Sequence, residues 1–225
     1  MKTLLVTGTD TGVGKTWFAS ALVRALRAAG RQVGAYKPAC SGAEQTGSGG
    51  TTWADVEALY RAMGRPEIPL DAVCPQRFLA PLAPPLAARL EGKEVDRGLL
   101  TAALEWWRGK ADIVVIEGAG GLHCPMTEDA TLADLATEWS APTIVVAANR
   151  LGTINHTLLT LEALRARRIP VLGFVLNDVS PEADAEGRAS HVEEIARRGA
   201  ARCLATVSWG QETLSGDLVE AIGHG

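Results

Sequence analysis

Nine residues near the start of the chain, GTDTGVGKT at positions 8–16, have the composition of a loop that binds phosphate groups. Glycines let backbone N–H groups turn toward phosphate oxygens, and a helix that follows such a loop adds the positive end of its dipole. Lys15 would then reach the terminal phosphates, and the Thr16 hydroxyl would ligate Mg²⁺. The alternative, a simple glycine-rich turn, leaves Lys15 as an uncompensated charge at a helix N-terminus, which is unfavourable. The sequence therefore predicts a nucleotide site.

The spelling of this loop departs from the common form, G-x-x-x-x-G-K-[ST]. That form would place its first glycine at position 9, where the chain has Thr9, and Gly8 comes one residue too early. The loop is therefore one residue longer than the common form.

Two carboxylates and a second lysine are candidates for the same site, because Mg²⁺ on phosphates takes one or two carboxylates. Glu117 closes the apolar stretch of VVIEGAGG, a position that favours a site role. Asp55 begins a predicted helix, so metal ligation and an ordinary helix-start carboxylate are equally good interpretations. Lys37 ends another apolar stretch. It is either a solvated strand end or an ammonium that neutralises charge during phosphoryl transfer.

Six apolar stretches predict strands: KTLLVTG, RQVGAYKP, DIVVIEG, PTIVVAAN, IPVLGFVLN and CLATVSW. They are apolar throughout instead of alternating, which is typical of a parallel sheet covered on both faces. Helical spacing follows the phosphate loop and recurs near 53–64, 96–109, 131–139, 153–168, 186–198 and 212–222. The pattern predicts a doubly wound α/β fold, a mostly parallel sheet between helix layers, of the P-loop NTPase type.

Ligands of such sheets bind beyond the carboxyl ends of the strands. The segments there are polar or glycine-rich: GTDTGVGKT, KPACSG, EGAGGLH, NRLGTINH and NDVS. The stretch at 41–54, SGAEQTGSGGTTWA, is too polar and glycine-rich to predict an element. A mobile surface loop and a flap near the site are equally good interpretations of it.

Composition limits the remaining possibilities. The 225 residues, 47% hydrophobic and 21% charged, predict one globular domain over 1–225. A formal charge of -4 with scattered arginines argues against a nucleic-acid partner. The longest apolar run, 141–148, is far below the ~20 residues of a membrane span. The four cysteines are far apart, the histidines lack metal-ligand spacing and no G-x-S-x-G occurs. We expect a cytoplasmic protein without a membrane partner.

The combination of GTDTGVGKT, YKPACSG, VIEGAGG, NRLGTINHTLLTLEAL and GFVLND closely resembles the dethiobiotin synthetase family. The resemblance runs from the N-terminus to about residue 178, and the enlarged loop is the rule in that family. It implies an ATP- and Mg²⁺-dependent enzyme that joins 7,8-diaminopelargonic acid and CO2 into the ureido ring of dethiobiotin, giving ADP and phosphate through a carbamate and a carbamic-phosphoric anhydride. It also implies a homodimer with sites at the subunit interface.

The resemblance assigns roles to residues at matching positions. The catalytic residues would be Lys15 and Lys37, and the Mg²⁺ ligands Thr16, Asp55 and Glu117. The nucleotide would be bound by Gly12, Val13, Gly14, Lys15, Thr16, Glu117, Gly118 and Asn177, with Asn177 at the base. The diamine and its carbamate would contact Thr11, Lys37 and Ser41. The substrate carboxylate would bind Leu151, Gly152, Thr153, Ile154 and Asn155 of the partner subunit.

Three positions bear on alternatives. Gly12 replaces an acidic residue of some members, which excludes a carboxylate role there. The segment TVSWGQE lacks the expected proline, which predicts less strict reading of the base. Asp10 stands where switching and partitioning ATPases carry a signature lysine, five residues before Lys15, and this favours an enzyme over a nucleotide-switched ATPase. A glutamine-dependent amidase of related fold would need a further domain.

Overall fold

The computed structural model describes residues 1–47, 49–182, 185–216, 218 and 222, without the side chains of 185 and 186. Its strands are β1 (Lys2–Gly8), β2 (Val33–Tyr36), β3 (Ala39–Cys40), β4 (Glu44–Gln45), β5 (Thr51–Thr52), β6 (Gln76–Arg77), β7 (Ile113–Glu117), β8 (Thr143–Ala148), β9 (Val171–Asn177) and β10 (Cys203–Val207). Its helices are α1 (Lys15–Ala28), α2 (Ala54–Met63), α3 (Leu70–Val73), α4 (Pro84–Leu90), α5 (Arg97–Glu105), α6 (Leu132–Glu138), α7 (Thr153–Ala166) and α8 (Ala185–Gly199).

The six predicted strands form one sheet in the order β10-β9-β8-β1-β7-β2. Every neighbouring pair is parallel. β2, β7 and β8 are buried along their whole length, which is why their sequences are apolar throughout. Helices α1 and α2 pack on each other and on β2, and α7 packs on α8 and β8. The predicted fold class, a parallel sheet flanked by helices, is confirmed.

The stretch at 41–54 differs from the prediction, because it contains an element. β4 and β5 pair antiparallel, with Glu44 opposite Thr52. Thr46 closes the turn: its N–H donates to the Gly50 carbonyl at 2.8 Å, and its hydroxyl accepts from the Gly50 N–H at 2.9 Å. The polar composition hid this hairpin because these hydrogen bonds, and not apolar burial, hold it.

Element boundaries differ from the predictions in smaller ways. α5 ends at Glu105 and α7 at Ala166, earlier than the predicted 109 and 168. The short helices α3 and α4 and the two-residue pairing of β3 with β6 had no sequence prediction. The predicted helix at 212–222 lies largely outside the described residues, and its first residues, 212–215, are not helical. No helix in the described part of the chain is long and apolar enough to cross a membrane.

Candidate active site

The phosphate loop lies at the centre of the sheet, since it joins β1 to α1 and β1 lies between β7 and β8. The chain reverses its strand order there, and this is where open α/β sheets bind ligands. Gly12 and Gly14 adopt left-handed φ values of 74° and 92°, a region that favours glycine. Lys15 is buried, and its ammonium donates to the Asp10 carbonyl at 2.9 Å. The loop thus surrounds the lysine that was predicted to meet phosphates.

Four side chains converge beside the loop, and we call them the carboxylate cluster: Thr16, Lys37, Asp55 and Glu117. The Thr16 hydroxyl oxygen lies 2.7 Å from Asp55 Oδ1 and 2.7 Å from Glu117 Oε1. The Lys37 ammonium donates to Asp55 Oδ2 at 2.7 Å and to Glu117 Oε1 at 2.8 Å. Lys37 and Glu117 are buried, whereas the Asp55 side chain is 42% exposed. The cluster therefore has one open side.

The elements explain this convergence. β2 and β7 are neighbours in the sheet, so Lys37, just beyond β2, comes beside Glu117 at the end of β7. α2 places Asp55 in its first turn, but its N-cap is Trp53, which makes no side-chain capping bond. Asp55 uses its carboxylate on Thr16 and Lys37 instead of capping its helix. Lys37 is correspondingly a buried cation and not a solvated strand end.

Burial and mutual charge set the protonation of this region. Burial lowers the pKa of Lys15, and the nearby Lys37 lowers it further, against the opposing effect of Glu117. Burial also opposes the charged form of Lys37, but Glu117 and Asp55 outweigh it and raise the pKa of Lys37 overall. Burial raises the pKa of Glu117. Burial also opposes the charged form of Asp55, but its neighbours, led by Lys37, together outweigh burial and lower the pKa of Asp55. Lys37 is therefore the firmly charged lysine of the pair.

The residues of the cluster fit a magnesium ion. Glu117 Oε2 is buried and has no hydrogen-bond partner, so one carboxylate oxygen has its coordination capacity unused. A hydroxyl and one or two carboxylates, completed by phosphates and water, are the donors that Mg²⁺ prefers. No group of three or more His, Cys, Asp or Glu side chains suited to a metal occurs among the described residues. The donor set suits a metal that arrives with phosphates.

A cavity of about 700 Å³ opens over the phosphate loop and the cluster. The predicted site residues that line it are Thr11, Gly12, Gly14, Lys15, Thr16, Lys37, Ser41, Asp55, Glu117 and Gly118. Cys40, Ala119 and Gly120, from the predicted strand-end segments KPACSG and EGAGGLH, also line it. Residues without a sequence prediction complete the lining: Pro81, Leu82, Ala83, Pro84 and Cys124. Residues 81–84 form one wall of this cavity, which we call the 81–84 wall. It is attached to the predicted site residue Ser41, whose hydroxyl donates to the Leu82 carbonyl at 2.6 Å. The only sequence feature of the 81–84 wall is its prolines, and these do not predict where the segment lies relative to the sheet.

A second cavity, of about 420 Å³, adjoins the first, because Gly12 and Gly14 line both. Its other lining residues are Trp17, Asn177, Asp178, Val179, Val207, Ser208, Trp209, Gly210 and Gln211. The Asn177 amide donates to the carbonyl of the buried Val13 at 2.9 Å. A Cβ added to Gly14 would lie 2.1 Å from Asn177 Nδ2, so the loop requires glycine here. The sequence had assigned nucleotide contacts to Gly12, Gly14 and Asn177 and had singled out the segments NDVS and TVSWGQE, whereas Trp17 had no sequence prediction.

The segment from Leu151 to Asn155 lines neither cavity. Leu151 is 97% exposed, and Gly152 is the N-cap of α7 with a φ of 92°. Thr153 is buried, and its hydroxyl oxygen has no hydrogen-bond partner. The structure of one chain therefore does not bring this predicted substrate segment together with the carboxylate cluster.

The fold and the site define a P-loop nucleotide-binding protein. Among solved structures, the cell division ATPase MinD of Pyrococcus furiosus superposes with a TM-score of 0.55 at 17% identity, covering 100% of this chain and 99% of that one. The MinC:MinD complex of Aquifex aeolicus gives a TM-score of 0.54 at 15% identity, covering 97% of this chain and 85% of that one. These similarities support the fold alone.

Sequence relatives are more specific. A family model described as an AAA domain matches residues 2–215. The protein of Anaeromyxobacter dehalogenans (strain 2CP-C) named ATP-dependent dethiobiotin synthetase BioD is 47% identical over 93% of this chain and 91% of its own length. The protein of that name from Rhodopirellula baltica is 42% identical over 85% of this chain and 78% of its own length. The chain belongs to the dethiobiotin synthetase family. The predictions of this family and of an enzyme are confirmed.

Proposed function

We propose that this chain uses ATP to close the ureido ring of dethiobiotin from 7,8-diaminopelargonic acid and CO2. One amine adds to CO2 and loses a proton, giving a carbamate. A carbamate oxygen attacks the γ-phosphorus and ADP leaves, which forms a carbamic-phosphoric anhydride. The second amine attacks the carbonyl carbon, loses a proton and expels phosphate. One domain over 1–225 would carry all three steps.

The observation that carries this proposal is the pairing of two buried lysines over one cavity. Lys15 lies within the phosphate loop after β1, and Lys37 faces the same cavity from the end of β2, two strands away in the sheet. Phosphoryl transfer asks little covalent chemistry of a protein, so positioning and stabilisation of charge must supply most of the rate. A cation fixed in a buried site stabilises developing negative charge without reorganising during the reaction.

The lysines would divide the work. Lys15 would exchange its bond to the Asp10 carbonyl for oxygens of the terminal phosphates. Lys37, with its raised pKa, would remain protonated and meet the carbamate and the migrating phosphoryl group. Thr11 and Ser41, which line the same cavity, would orient the diamine and the carbamate by hydrogen bonds.

Magnesium would be held by Thr16, Asp55 and Glu117, whose oxygens converge beside the phosphate loop. When bound, Mg²⁺ neutralises phosphate charge and aligns the γ-phosphate for attack. The unpartnered Glu117 Oε2 supports this assignment. The carboxylates are at present balanced by Lys37, so the metal and the phosphates would redistribute the contacts of this lysine.

The adenine base would occupy the second cavity, next to the phosphate loop. Asn177 commits its Nδ2 group to the Val13 carbonyl, so its Oδ1 is the atom that can accept a hydrogen bond from an exocyclic amine. Trp17 and Trp209 offer aromatic faces to the same cavity. Gly118, at the end of β7, and Gly12 with Gly14 would let the nucleotide approach the backbone closely.

A homodimer would bring the remaining substrate contact. The first N–H groups of α7, including those of Ile154 and Asn155, have no intrahelical acceptor and form a natural carboxylate site. The buried, unpartnered Thr153 hydroxyl supports a ligand at this helix start. Because the segment Leu151–Asn155 lines neither of the two cavities beside the phosphate loop of its own chain, we propose that it serves the site of the second copy. Mixing inactive Lys37→Met subunits with inactive Thr153→Val subunits should then restore activity in hybrid dimers.

The direct test incubates the purified chain with Mg²⁺, ATP, bicarbonate and 7,8-diaminopelargonic acid, omitting each component in turn. We expect dethiobiotin by mass spectrometry only in the complete mixture, with one ADP released per product. ATP hydrolysis that needs no diamine and yields no dethiobiotin would contradict the proposal and indicate a nucleotide switch.

A further inference from the structure

A polar network borders the second cavity, which Asp178 lines, and the proposed reaction does not use this network. We call it the Asp178 network; its members are Asn149, Asp178, Arg188 and His191. Asp178 is 6% exposed, and both of its carboxylate oxygens are occupied. Oδ1 accepts from the Asn149 amide at 2.9 Å, and Oδ2 accepts from the Arg188 guanidinium. His191 Nδ1 lies 2.9 Å from Asn149 Oδ1.

This network is tied to the cavity at several backbone positions. Asp178 directly follows Asn177, and the Asn149 N–H donates to the Asn177 carbonyl at 2.7 Å. The Asp178 N–H donates to the Val207 carbonyl at 2.9 Å, which joins the ends of β9 and β10. These two bonds fix the peptide unit between Asn177 and Asp178, directly after the Asn177 side chain.

Arg188 extends the connection to the opposite wall. Besides Asp178, its guanidinium donates to the Ser208 hydroxyl oxygen at 3.4 Å. Ser208 begins the turn that carries Trp209 and Gln211, the other wall of the cavity. One planar guanidinium on α8 thus bridges the residue after Asn177 and the first residue of the turn. Because its two terminal nitrogens donate to two different residues, the planar guanidinium sets the distance between them, which the ammonium of a lysine cannot do in the same way.

We infer that Arg188 is a positioning residue for the nucleobase, which sets the width of the base cavity by holding Asp178 and Ser208 together. This inference rests on the proposed use of a nucleotide. It concerns the base alone, because within the described part of the chain the side-chain hydrogen bonds of Asp178 and Arg188 go to Asn149, Ser208 and each other, and not to Lys15 or the carboxylate cluster. Loss of the bridge should weaken base contacts and leave phosphate contacts as they are.

The test compares two ligands that share phosphates and differ in the base: ATP and inorganic tripolyphosphate. Their affinities are measured by calorimetry for the parent chain and for Arg188→Lys, which keeps a positive charge near Asp178 but loses the two-armed bridge. We expect ATP to bind about tenfold more weakly and tripolyphosphate to bind as before. In turnover, the KM for ATP should rise by a similar factor, with kcat and the KM for the diamine unchanged.

Two further variants make the result decisive. The double variant Asp178→Asn with Arg188→Gln leaves no lone buried charge, so it remains measurable if Arg188→Lys folds poorly. Arg197→Gln is the matched control, because Arg197 is on the same helix and pairs at the surface with Glu194. Parallel loss of ATP and tripolyphosphate, or no loss of either, would overturn the positioning role. A parent chain that binds no ATP would instead overturn the proposed function and this inference with it.

Discussion

The two cavities beside the phosphate loop are built in opposite ways. The first is lined by charged side chains. Lys15, Lys37 and Glu117 are buried there, and Asp55 lies on its solvent-exposed side. The second is lined by two tryptophans, by the amides of Asn177 and Gln211, and by Asp178, whose carboxylate oxygens both accept hydrogen bonds from the protein. The phosphate side thus depends on a few fixed charges, and the base side depends on backbone spacing. We expect a single substitution to cause a large loss of activity or affinity in the first cavity and a smaller loss of affinity in the second.

The largest effect should follow Lys37→Met. It removes the cation that would stabilise the transferring phosphoryl group, so we expect turnover to fall by about 10³-fold, within the range for lost transition-state donors. Thermal stability should also fall, because Glu117 is left buried without its counter-charge.

Calorimetry should show that ATP still binds this variant, since Lys15 and the loop remain. Lys93→Met, at an exposed surface pair, is the control for loss of a lysine. Near-normal turnover of Lys37→Met would remove the proposed role of this residue.

Gly14 lines both cavities, so Gly14→Ala should weaken binding of the phosphates and of the base at the same time. Alanine there would adopt a φ of 92° and place its Cβ 2.1 Å from Asn177 Nδ2. We expect a loss of ATP affinity of about 100-fold, because strain of this kind costs about 1–3 kcal/mol. Gly12→Ala is the matched control: its φ is 74°, but a Cβ meets nothing within 4 Å. Equal losses in the two variants would show that contact with Asn177 contributes nothing.

Glu117→Gln separates the metal from the phosphates. The amide keeps the size of the side chain but lacks its negative charge, so we expect the Mg²⁺ concentration for half-maximal activity to rise about tenfold. The measurement is a magnesium titration at saturating ATP. Glu105→Gln, at the exposed end of α5, is the comparison. An unchanged magnesium requirement in Glu117→Gln would argue against ligation by this residue.

The two buried lysines, Lys15 and Lys37, should lose their protons at different pH. Burial lowers the pKa of Lys15 below its usual 10.5, whereas the acidic neighbours raise that of Lys37. Lys15 therefore loses its proton first as the pH rises. The affinity for ATP without metal should then decrease with rising pH, starting at a pH lower than 10.5, by up to about tenfold per pH unit.

The stability of the folded state should change with pH in the opposite direction to the ATP affinity. A lysine with a lowered folded pKa binds fewer protons folded than unfolded, so rising pH through that pKa adds stability from Lys15. The measurement is ATP affinity in a chelating buffer from pH 8 to 10.5, with Lys93→Met as control. A flat affinity profile for the parent chain would contradict the effect of burial on Lys15.

The contrast between the cavities also explains what the sequence could predict. Strands that are apolar throughout revealed the parallel sheet, and residues such as Lys37 and Glu117 were found because charges directly after buried strands are unusual. From its helix position Asp55 remained ambiguous, since that position does not tell which way a carboxylate points, and only the family resemblance assigned it to Mg²⁺. Its partners, Thr16 and Lys37, became evident only from the packing of α2 on α1 and β2.

The segments NDVS and TVSWGQE had been singled out, but the shape of the second cavity could not be predicted because it comes from a turn. The Ser208 N–H donates to Gln211 Oε1 at 3.1 Å, and Gln211 Nε2 donates to the Thr213 carbonyl at 2.7 Å. These bonds place Trp209 against the cavity, yet the segment SWGQ carries no periodicity and no strand-end charge. The 81–84 wall of the first cavity was missed for the same reason. Loop walls depend on hydrogen bonds between side chain and backbone that residue types alone do not specify.

The smallest effect should follow Trp209→Ala, and it tests the base side directly. Trp209 is 58% exposed, so its ring can stack on a base but contributes little to the core. We expect ATP affinity to fall about fivefold, near the lower end of the cost of removing one stacked ring, with tripolyphosphate affinity unchanged. Trp209→Phe should recover most of the loss because it retains an aromatic face. A fall in tripolyphosphate affinity equal to that of ATP would mean that the turn supports the phosphate loop, and the two cavities would then not be separable.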